Sequence, residues 1–253
     1  MVHSFISIKK FAKEPYSNIL GYPNATNRQI KSRINELEKL KIKSICLVGP
    51  TTIGSLAILG KGYVGVVVLV KRGNKEVALK IRRTDSQRAN MKNEAVLLKL
   101  VNSVKVGPKI IDVSKNFLIM EYIEGEKFSN WIGMLKGSGS VKKLKSTIKS
   151  ALEDCYRLDQ IGFDHGELSN ISKHVIVGKT KVSLIDFESS STNRKPSNVT
   201  SITQAFFIGS GIAKQTQKIY KNSSKEKIIE ALKLYKQEIT RENFENLLKV
   251  LKL

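Results

Sequence analysis

The alternation of apolar and polar positions divides the chain into three stretches. In residues 1–43, Thr26-Asn27-Arg28-Gln29 has the spacing of a capping box. After it Ile30, Ile34, Leu37 and Leu40 recur at helical intervals with charges between them. This stretch reads as an N-terminal helical extension. Residues 44–122 are β-rich, with strands predicted at 44–48, 53–59, 64–71 and 77–82 and a tight turn at Gly73-Asn74. A helix at about 86–101 and short strands near 110–113 and 117–122 complete this part. From Phe128 the pattern is mainly helical. Residues 141–161 carry Leu144, Ile148, Leu152, Cys155 and Leu158 on one face. Apolar segments at 175–177 and 182–185 flank Gly178-Lys179-Thr180 and read as a hairpin. Helices at about 225–235 and 243–251 close the chain, and there are no internal repeats. The expected fold class is α+β in two lobes: a β-rich N-lobe over 44–122, a link near 121–127, and a small, mainly helical C-lobe over 123–253.

Composition narrows the function. The chain has 253 residues, 41% of them hydrophobic, which is enough for a core and excludes wholesale disorder. No apolar run approaches the roughly 20 residues of a membrane span; the longest, 64–70, reads as a strand, so no membrane partner is expected. Lys9, Lys10 and Lys13 are not followed by the apolar segment of a secretory signal. Cys46 and Cys155 are too few for a disulfide framework and lie outside any zinc spacing, so a reducing cytoplasm is the expected location. The formal net charge is +22, from 44 Lys+Arg against 22 Asp+Glu, and lysine outnumbers arginine 35 to 9. Dispersed lysine is first a solubility signature. The run at 136–149, with five lysines and no acid, is either solvated surface or a contact for a polyanion such as RNA or an acidic protein. No zinc-finger, RNA-recognition or KH signature accompanies it.

Chemistry concentrates in a few motifs. Gly60-Lys61-Gly62-Tyr63-Val64-Gly65-Val66-Val67 is a GxGxxGxV pattern followed by a β-branched run. The glycines therefore belong to a hairpin turn, where missing side chains let backbone amides approach phosphates; a glycine-rich hairpin without ligand is the plainer alternative. In Val77-Ala78-Leu79-Lys80-Ile81, strand alternation puts Ala78 and Lys80 on the face opposite Val77, Leu79 and Ile81. A mid-strand lysine either snorkels to water or needs a partner, and Glu94 in the following helix is well placed for that.

These residues resemble the eukaryotic-like protein kinase superfamily: a glycine loop, a VAIK-like VALK and a glutamate in the next helix. The resemblance implies a two-lobed kinase-like fold that binds ATP and Mg²⁺. It implies that Gly60, Gly62 and Gly65 cover the phosphates and that Lys80, held by Glu94, contacts the α/β-phosphates. Phe117–Gly125 is similar to the fifth strand and hinge. By that similarity Met120 is the gatekeeper, the Glu121 carbonyl and Ile123 amide bond adenine, and Val67 and Ala78 lie above it. Asp164-His165-Gly166-Glu167-Leu168-Ser169-Asn170 occupies the place of the catalytic loop, with Glu167 as base. Asp186 in Ile185-Asp186-Phe187-Glu188 occupies the place of the metal aspartate. The His165-Gly166 pair, the compact C-lobe and the lack of an APE-like segment are closer to the atypical RIO-like kinases and the small kinase of the archaeal KEOPS complex.

Three positions depart from the pattern. The base is Glu167 rather than Asp. Ser172 stands where the loop asparagine is expected, leaving Asn170 as the candidate metal ligand, with Lys173-His174 just before the hairpin. DFG is replaced by Asp186-Phe187-Glu188, as in small-molecule kinases. His165 reads as structural. The hydroxyl-rich stretch 189–201 reads as a flexible loop near the substrate entrance, with autophosphorylation as one role open to it and a plain solvent loop as the alternative. The expected activity is a serine/threonine protein kinase with a protein substrate. The alternatives are a small-molecule or RNA kinase, a nucleotide-binding pseudokinase serving as a scaffold in a basic RNA-associated complex, and a basic RNA-binding protein with an empty pocket.

Overall fold

The computed structural model describes residues 3–253. The chain forms two compact units: Met1–Lys99 with Pro108–Tyr122, and Leu100–Gly107 with Ile123–Leu253. The first is β-rich and the second mainly helical, so the fold is α+β in the order of a two-lobed kinase-like protein.

The first unit is built on a seven-stranded sheet. Its strands are β1 (Phe5–Ser7), β2 (Ile42–Cys46), β5 (Gly60–Lys61), β6 (Gly65–Arg72), β7 (Lys75–Arg82), β8 (Ile110–Val113) and β9 (Phe117–Glu121), in the order β1-β2-β6-β7-β9-β8 with β5 paired to β6. A separate hairpin joins β3 (Thr51–Ile53) and β4 (Leu56–Ile58). The single strand expected at 53–59 is broken there because Gly54 takes φ +56 and turns the chain. The turn expected at Gly73-Asn74 links Arg72 to Lys75, with Gly73 at φ +60.

Residues 3–43 are not wholly helical. Besides β1 they supply a 3₁₀ turn (Ile8–Ala12), α1 (Ser17–Leu20) and α2 (Asn27–Lys39). The capping box is present: Thr26 Oγ1 accepts from the Gln29 amide, and Gln29 Oε1 accepts from the Thr26 amide. These elements share one apolar core with the sheet: Phe11, Leu20, Ile30 and Leu37 pack with Val66, Val68, Leu79 and Ile119. One residue on the buried stripe of α2 was not expected there. Arg33 is 3% exposed and donates to the Leu20 carbonyl and to Asn116 Oδ1. Burial and the nearby Arg82 push its guanidinium down to about 10.

The sheet therefore has two unlike faces. Val77, Leu79 and Ile81 of β7 face this core. On the other face the register sets Val67 opposite Lys80 and Lys80 opposite Leu118, with Ala78 opposite Met120. α3 (Lys92–Ser103) begins later than expected; Asn90 Oδ1 accepts from the Lys92 amide at its start.

The second unit holds β10 (Gly125–Lys127), α4 (Phe128–Met134), α5 (Ser140–Gln160), α6 (Ile171–His174), β11 (Val175–Gly178), β12 (Val182–Leu184), α7 (Asn198–Phe207), α8 (Gly211–Ile219), α9 (Lys225–Gln237) and α10 (Arg241–Val250). The expected hairpin is β11–β12, and β10 adds a third strand. Leu144, Ile148, Leu152, Cys155 and Leu158 are all buried on α5. Of the lysine run, Lys136, Lys142, Lys143 and Lys149 are exposed, while Lys145 lies over the Tyr220 ring at 5.1 Å. Both cysteines are buried thiols. Among the described residues no helix is long and apolar enough to cross a membrane.

If residues 8–40 seal the back of the sheet, Phe11→Ala should lower stability by about 3–5 kcal/mol, read by urea denaturation. An undiminished midpoint would mean that this segment is not part of the core.

Candidate active site

In the first unit the candidate residues gather on the face of the sheet away from the apolar core. β5 and β6 place Gly62-Tyr63-Val64-Gly65 in a hairpin turn, closed by the Gly62 amide donating to the Gly65 carbonyl at 2.8 Å. A Cβ on Gly65 would stand 2.9 Å from the Ile81 carbonyl oxygen and 3.0 Å from Lys80 Cγ. The glycine thus makes room for the lysine stem. Around Gly60 a Cβ would meet nothing, so crowding does not explain that glycine.

Lys80 is 3% exposed and Glu94 is 5% exposed. Lys80 Nζ donates to Glu94 Oε1 at 2.6 Å, while Arg88 Nη1 stands 3.6 Å from the other carboxylate oxygen. The desolvation of an ammonium is offset here by a charge-assisted hydrogen bond at close range. Val67, Ala78 and Met120 share this face through the strand register. At the end of β9, the Glu121 amide donates to the Lys109 carbonyl, and Glu121 Oε2 accepts from the Lys109 amide. Ile123 is half-buried and belongs to the second unit.

In the second unit, the segment 163–167 is fixed by a buried polar network. Asp159 Oδ1 accepts from the Asn198 amide and side chain, and Oδ2 accepts from the Val199 amide and the Tyr235 hydroxyl. Burial raises the Asp159 carboxyl above its ordinary value. Asn198 passes the constraint on: its Oδ1 accepts from the His165 amide at 2.8 Å, and its Nδ2 donates to the Phe163 carbonyl at 2.6 Å. Asn198 is buried at the start of α7, within the stretch expected to be a flexible loop. That stretch is anchored instead, because Ser191 and Asp164 exchange backbone hydrogen bonds and Arg194 pairs with Asp164 at 2.8 Å.

His165 is structural, as its place in the motif implied. It is 0% exposed, and its Nε2–H donates to the Ile185 carbonyl at 3.1 Å. Its Nδ1 is buried and has no hydrogen-bond partner, so a second ring proton would find no acceptor. Burial, aided by His174, pushes its pKa down to about 4.

Glu167 is half-buried, and each oxygen accepts one hydrogen bond: Oε1 from Ser189 Oγ at 2.5 Å, Oε2 from His174 Nε2 at 2.9 Å. Neither was expected as a partner of Glu167, although Ser189 belongs to the hydroxyl-rich stretch 189–201. His174 carries a weak signal, a histidine closing the loop just before an apolar strand. Asn170 is exposed, its amide donates to the Glu167 carbonyl, and its Oδ1 accepts from Ser172 Oγ at 2.6 Å. Asp186 follows β12 with φ +67, a left-handed conformation that few residues other than glycine visit. Strain of this kind clusters at functional positions. Next to it Phe187 is buried against His165 and Phe163, in space that Gly107 leaves open; a Cβ there would lie 2.7 Å from the ring.

Among the described residues no group of three or more His, Cys, Asp or Glu could hold a metal by itself. Mg²⁺ takes one or two carboxylates and completes its shell with water and phosphate oxygens, so a site for it needs no such group.

No family model matches the chain. Over 99 residues it is 31% identical to a protein of Bacillus subtilis (strain 168) named "Putative serine/threonine-protein kinase YrzF". The matched stretch is 39% of this chain and 45% of that protein, so the chain spans less than half the length of this relative.

Two consequences can be measured. Glu94→Ala removes the carboxylate 2.6 Å from a buried ammonium and should cost about 3–5 kcal/mol. Lys80→Met combined with Glu94→Leu should recover most of that, and a double variant as unstable as the single one would contradict the ion-pair account. For His165, the unfolded ring takes a proton below about pH 6.5, but the folded ring only near 4. Its contribution is present above pH 6.5 and is lost as pH falls toward 4, about 3 kcal/mol in all. The wild-type minus His165→Asn difference in stability, followed from pH 7 to pH 4, should show this slope. A flat difference would mean that the ring titrates normally.

Proposed function

We propose that the chain is an ATP- and Mg²⁺-dependent phosphotransferase of the atypical, RIO-like kind, acting on serine or threonine hydroxyls of a protein. The observation that carries this reading is the buried Lys80–Glu94 pair, whose lysine stem packs against Gly65 of the glycine turn. A buried ion pair is weak evidence for stability, since packed apolar side chains serve as well. An ammonium held by a carboxylate beside a glycine turn suits a polyphosphate. The similarity to the Bacillus subtilis protein supports the same class.

In this reading the amides of the 60–65 turn approach the phosphates, and Lys80 contacts the α/β-phosphates. Val67, Ala78, Met120, Glu121 and Ile123 surround the adenine. Asp186 would hold Mg²⁺, with Asn170 as a further oxygen donor. Bound Mg²⁺ would supply neutralisation of the phosphate charge. Glu167 would accept the proton of the acceptor hydroxyl, as a carboxylate within hydrogen-bond reach can. Catalysis of this type is mostly positioning and charge stabilisation.

One observation favours a second reading, a nucleotide-binding protein without transfer: both Glu167 oxygens already accept hydrogen bonds. It predicts ATP binding with no turnover.

A calorimetric titration with ATP and Mg²⁺, followed by product analysis of the same samples, separates the two. Lys80→Ala should weaken nucleotide binding by roughly 10-fold or more. Asp186→Asn should keep the fold and lower transfer by at least roughly 100-fold. Full transfer by Asp186→Asn would remove its metal role, and a wild-type chain that binds no nucleotide would remove the whole reading. Label from ATP appearing in a metabolite or in RNA, instead of protein, would reassign the acceptor.

A further inference from the structure

We infer that the cleft where α2 meets the end of β7 and the β8–β9 turn binds a phosphate-type dianion, with Arg33, Arg82 and Lys115 as its cations. The inference is independent of the phosphotransferase reading. The cleft lies within the first unit, and neither Lys80, Glu94 nor the glycine turn lines it.

An ionised side chain taken out of water is ordinarily paired with an opposite charge. Arg33 is 3% exposed, yet its hydrogen bonds go to neutral groups, the Leu20 carbonyl and Asn116 Oδ1. Arg82 relies on the same oxygen: its Nε and Nη2 donate to Asn116 Oδ1 at 3.2 and 3.1 Å, and its Nη1 donates to the Arg88 carbonyl at 3.0 Å. One neutral oxygen therefore serves two guanidinium groups. Of the five N–H groups that each carries, Arg33 uses two and Arg82 three. Glu36 is the acidic residue whose charge Arg33 feels, but its oxygens accept from the Asn116 amide, Asn116 Nδ2 and Ser114 Oγ. Among the described residues neither arginine forms an ion pair with a carboxylate. Two cations are thus held together with their charge largely uncompensated.

Both arginines line a cleft of about 160 Å³, and the exposed Lys115 adds a third cation to its wall. No aspartate or glutamate lines it. The remaining wall offers further donors. Ser32 brings an exposed hydroxyl from α2. Gln29 has its Oε1 committed to the capping box, which leaves its amino group as a donor. Thr84 is pinned by its amide and its hydroxyl, which both donate to the Tyr22 carbonyl, at 2.9 and 3.1 Å. The walls come from three separate segments that hydrogen-bond to one another, so the site is formed before a ligand arrives. Guanidinium forks match the oxygen spacing of phosphate, and three positive charges favour a dianion over a single carboxylate. Lys115, Ser32 and Gln29 are exposed, so the cleft is open to a free phosphate ion or to the phosphate of a monoester.

The test follows the urea midpoint of the full chain against inorganic phosphate, at slightly alkaline pH and at an ionic strength held constant with sodium chloride. A ligand that binds only the folded chain raises the midpoint in a saturable way. Exclusion of phosphate from the protein surface also stabilises, but it acts alike on wild type and variants. Expected is a saturable rise that the Lys80→Met, Glu94→Leu double variant keeps. Ser32→Asp and Lys115→Glu change exposed positions, so the fold should survive; each should weaken the apparent phosphate affinity by roughly 10-fold or more. Glycerol 3-phosphate distinguishes the sources: acting at lower concentration than inorganic phosphate it assigns the site to a monoester, and at higher concentration to the free ion. No saturable rise in wild type, or the same rise in both cleft variants, would overturn the inference. A rise lost only in the Lys80→Met, Glu94→Leu variant would overturn it as well, by placing the bound phosphate on the other face of the sheet.

Discussion

A single buried ammonium organises the first unit. Lys80 sits in the middle of β7 with almost no exposure, and a charge so placed is tolerated only with a carboxylate in contact. Glu94 supplies it at 2.6 Å, which ties α3 to one face of the sheet. That face can then carry Val67, Ala78 and Met120 around the lysine, while the opposite face is given over to aliphatic packing. Residues 8–40 complete that packing and also bury a cation, Arg33, satisfied by Asn116 and a main-chain carbonyl. The two faces of one sheet thus do different work, and strand alternation is what keeps them apart.

The second unit reaches rigidity by a different route. Its candidate catalytic segment has little regular structure of its own, and hydrogen bonds to buried groups hold it. Asp159 on α5 gathers two α7 amides and the Tyr235 hydroxyl, and Asn198 extends the network to Phe163 and His165. A buried carboxylate that receives four donors needs no counter-charge. The same unit uses glycine twice to let segments approach: Gly107 for the Phe187 ring and Gly166 for the Ser189 backbone. Asp186 is left in a left-handed conformation next to Phe187, whose ring packs on His165.

Much of the regular structure was legible because its causes are local. The capping box at Thr26, the turn at Gly73-Asn74, the β-branched run of β6 and the apolar stripe of α5 each follow from a few neighbouring residues. Gly54 hid a hairpin inside an apolar run, and the polar start of α7 masked a helix whose Val199, Ile202 and Phe206 are buried. Arg33 was not expected on a buried stripe, since its partners, Leu20 and Asn116, lie 13 and 83 residues away. The pairing of Lys80 with Glu94 was legible for the opposite reason. A costly group in a strand and a carboxylate in the next helix leave few other arrangements.

What the amino-acid order determined by itself was the β-then-helical succession, the alternation that places Lys80 among apolar neighbours, and the glycine turn beside it. These depend on periodicity and backbone preference, which act over a few residues. Only the tertiary structure decided that Glu167 is shared by His174 and Ser189, that Ser191, Arg194 and Asn198 bond to the 163–165 segment, and that the N-terminal segment lines the back of the sheet. Each of those depends on hydrogen bonds and packing between distant positions, which become definite only when the chain has closed on itself.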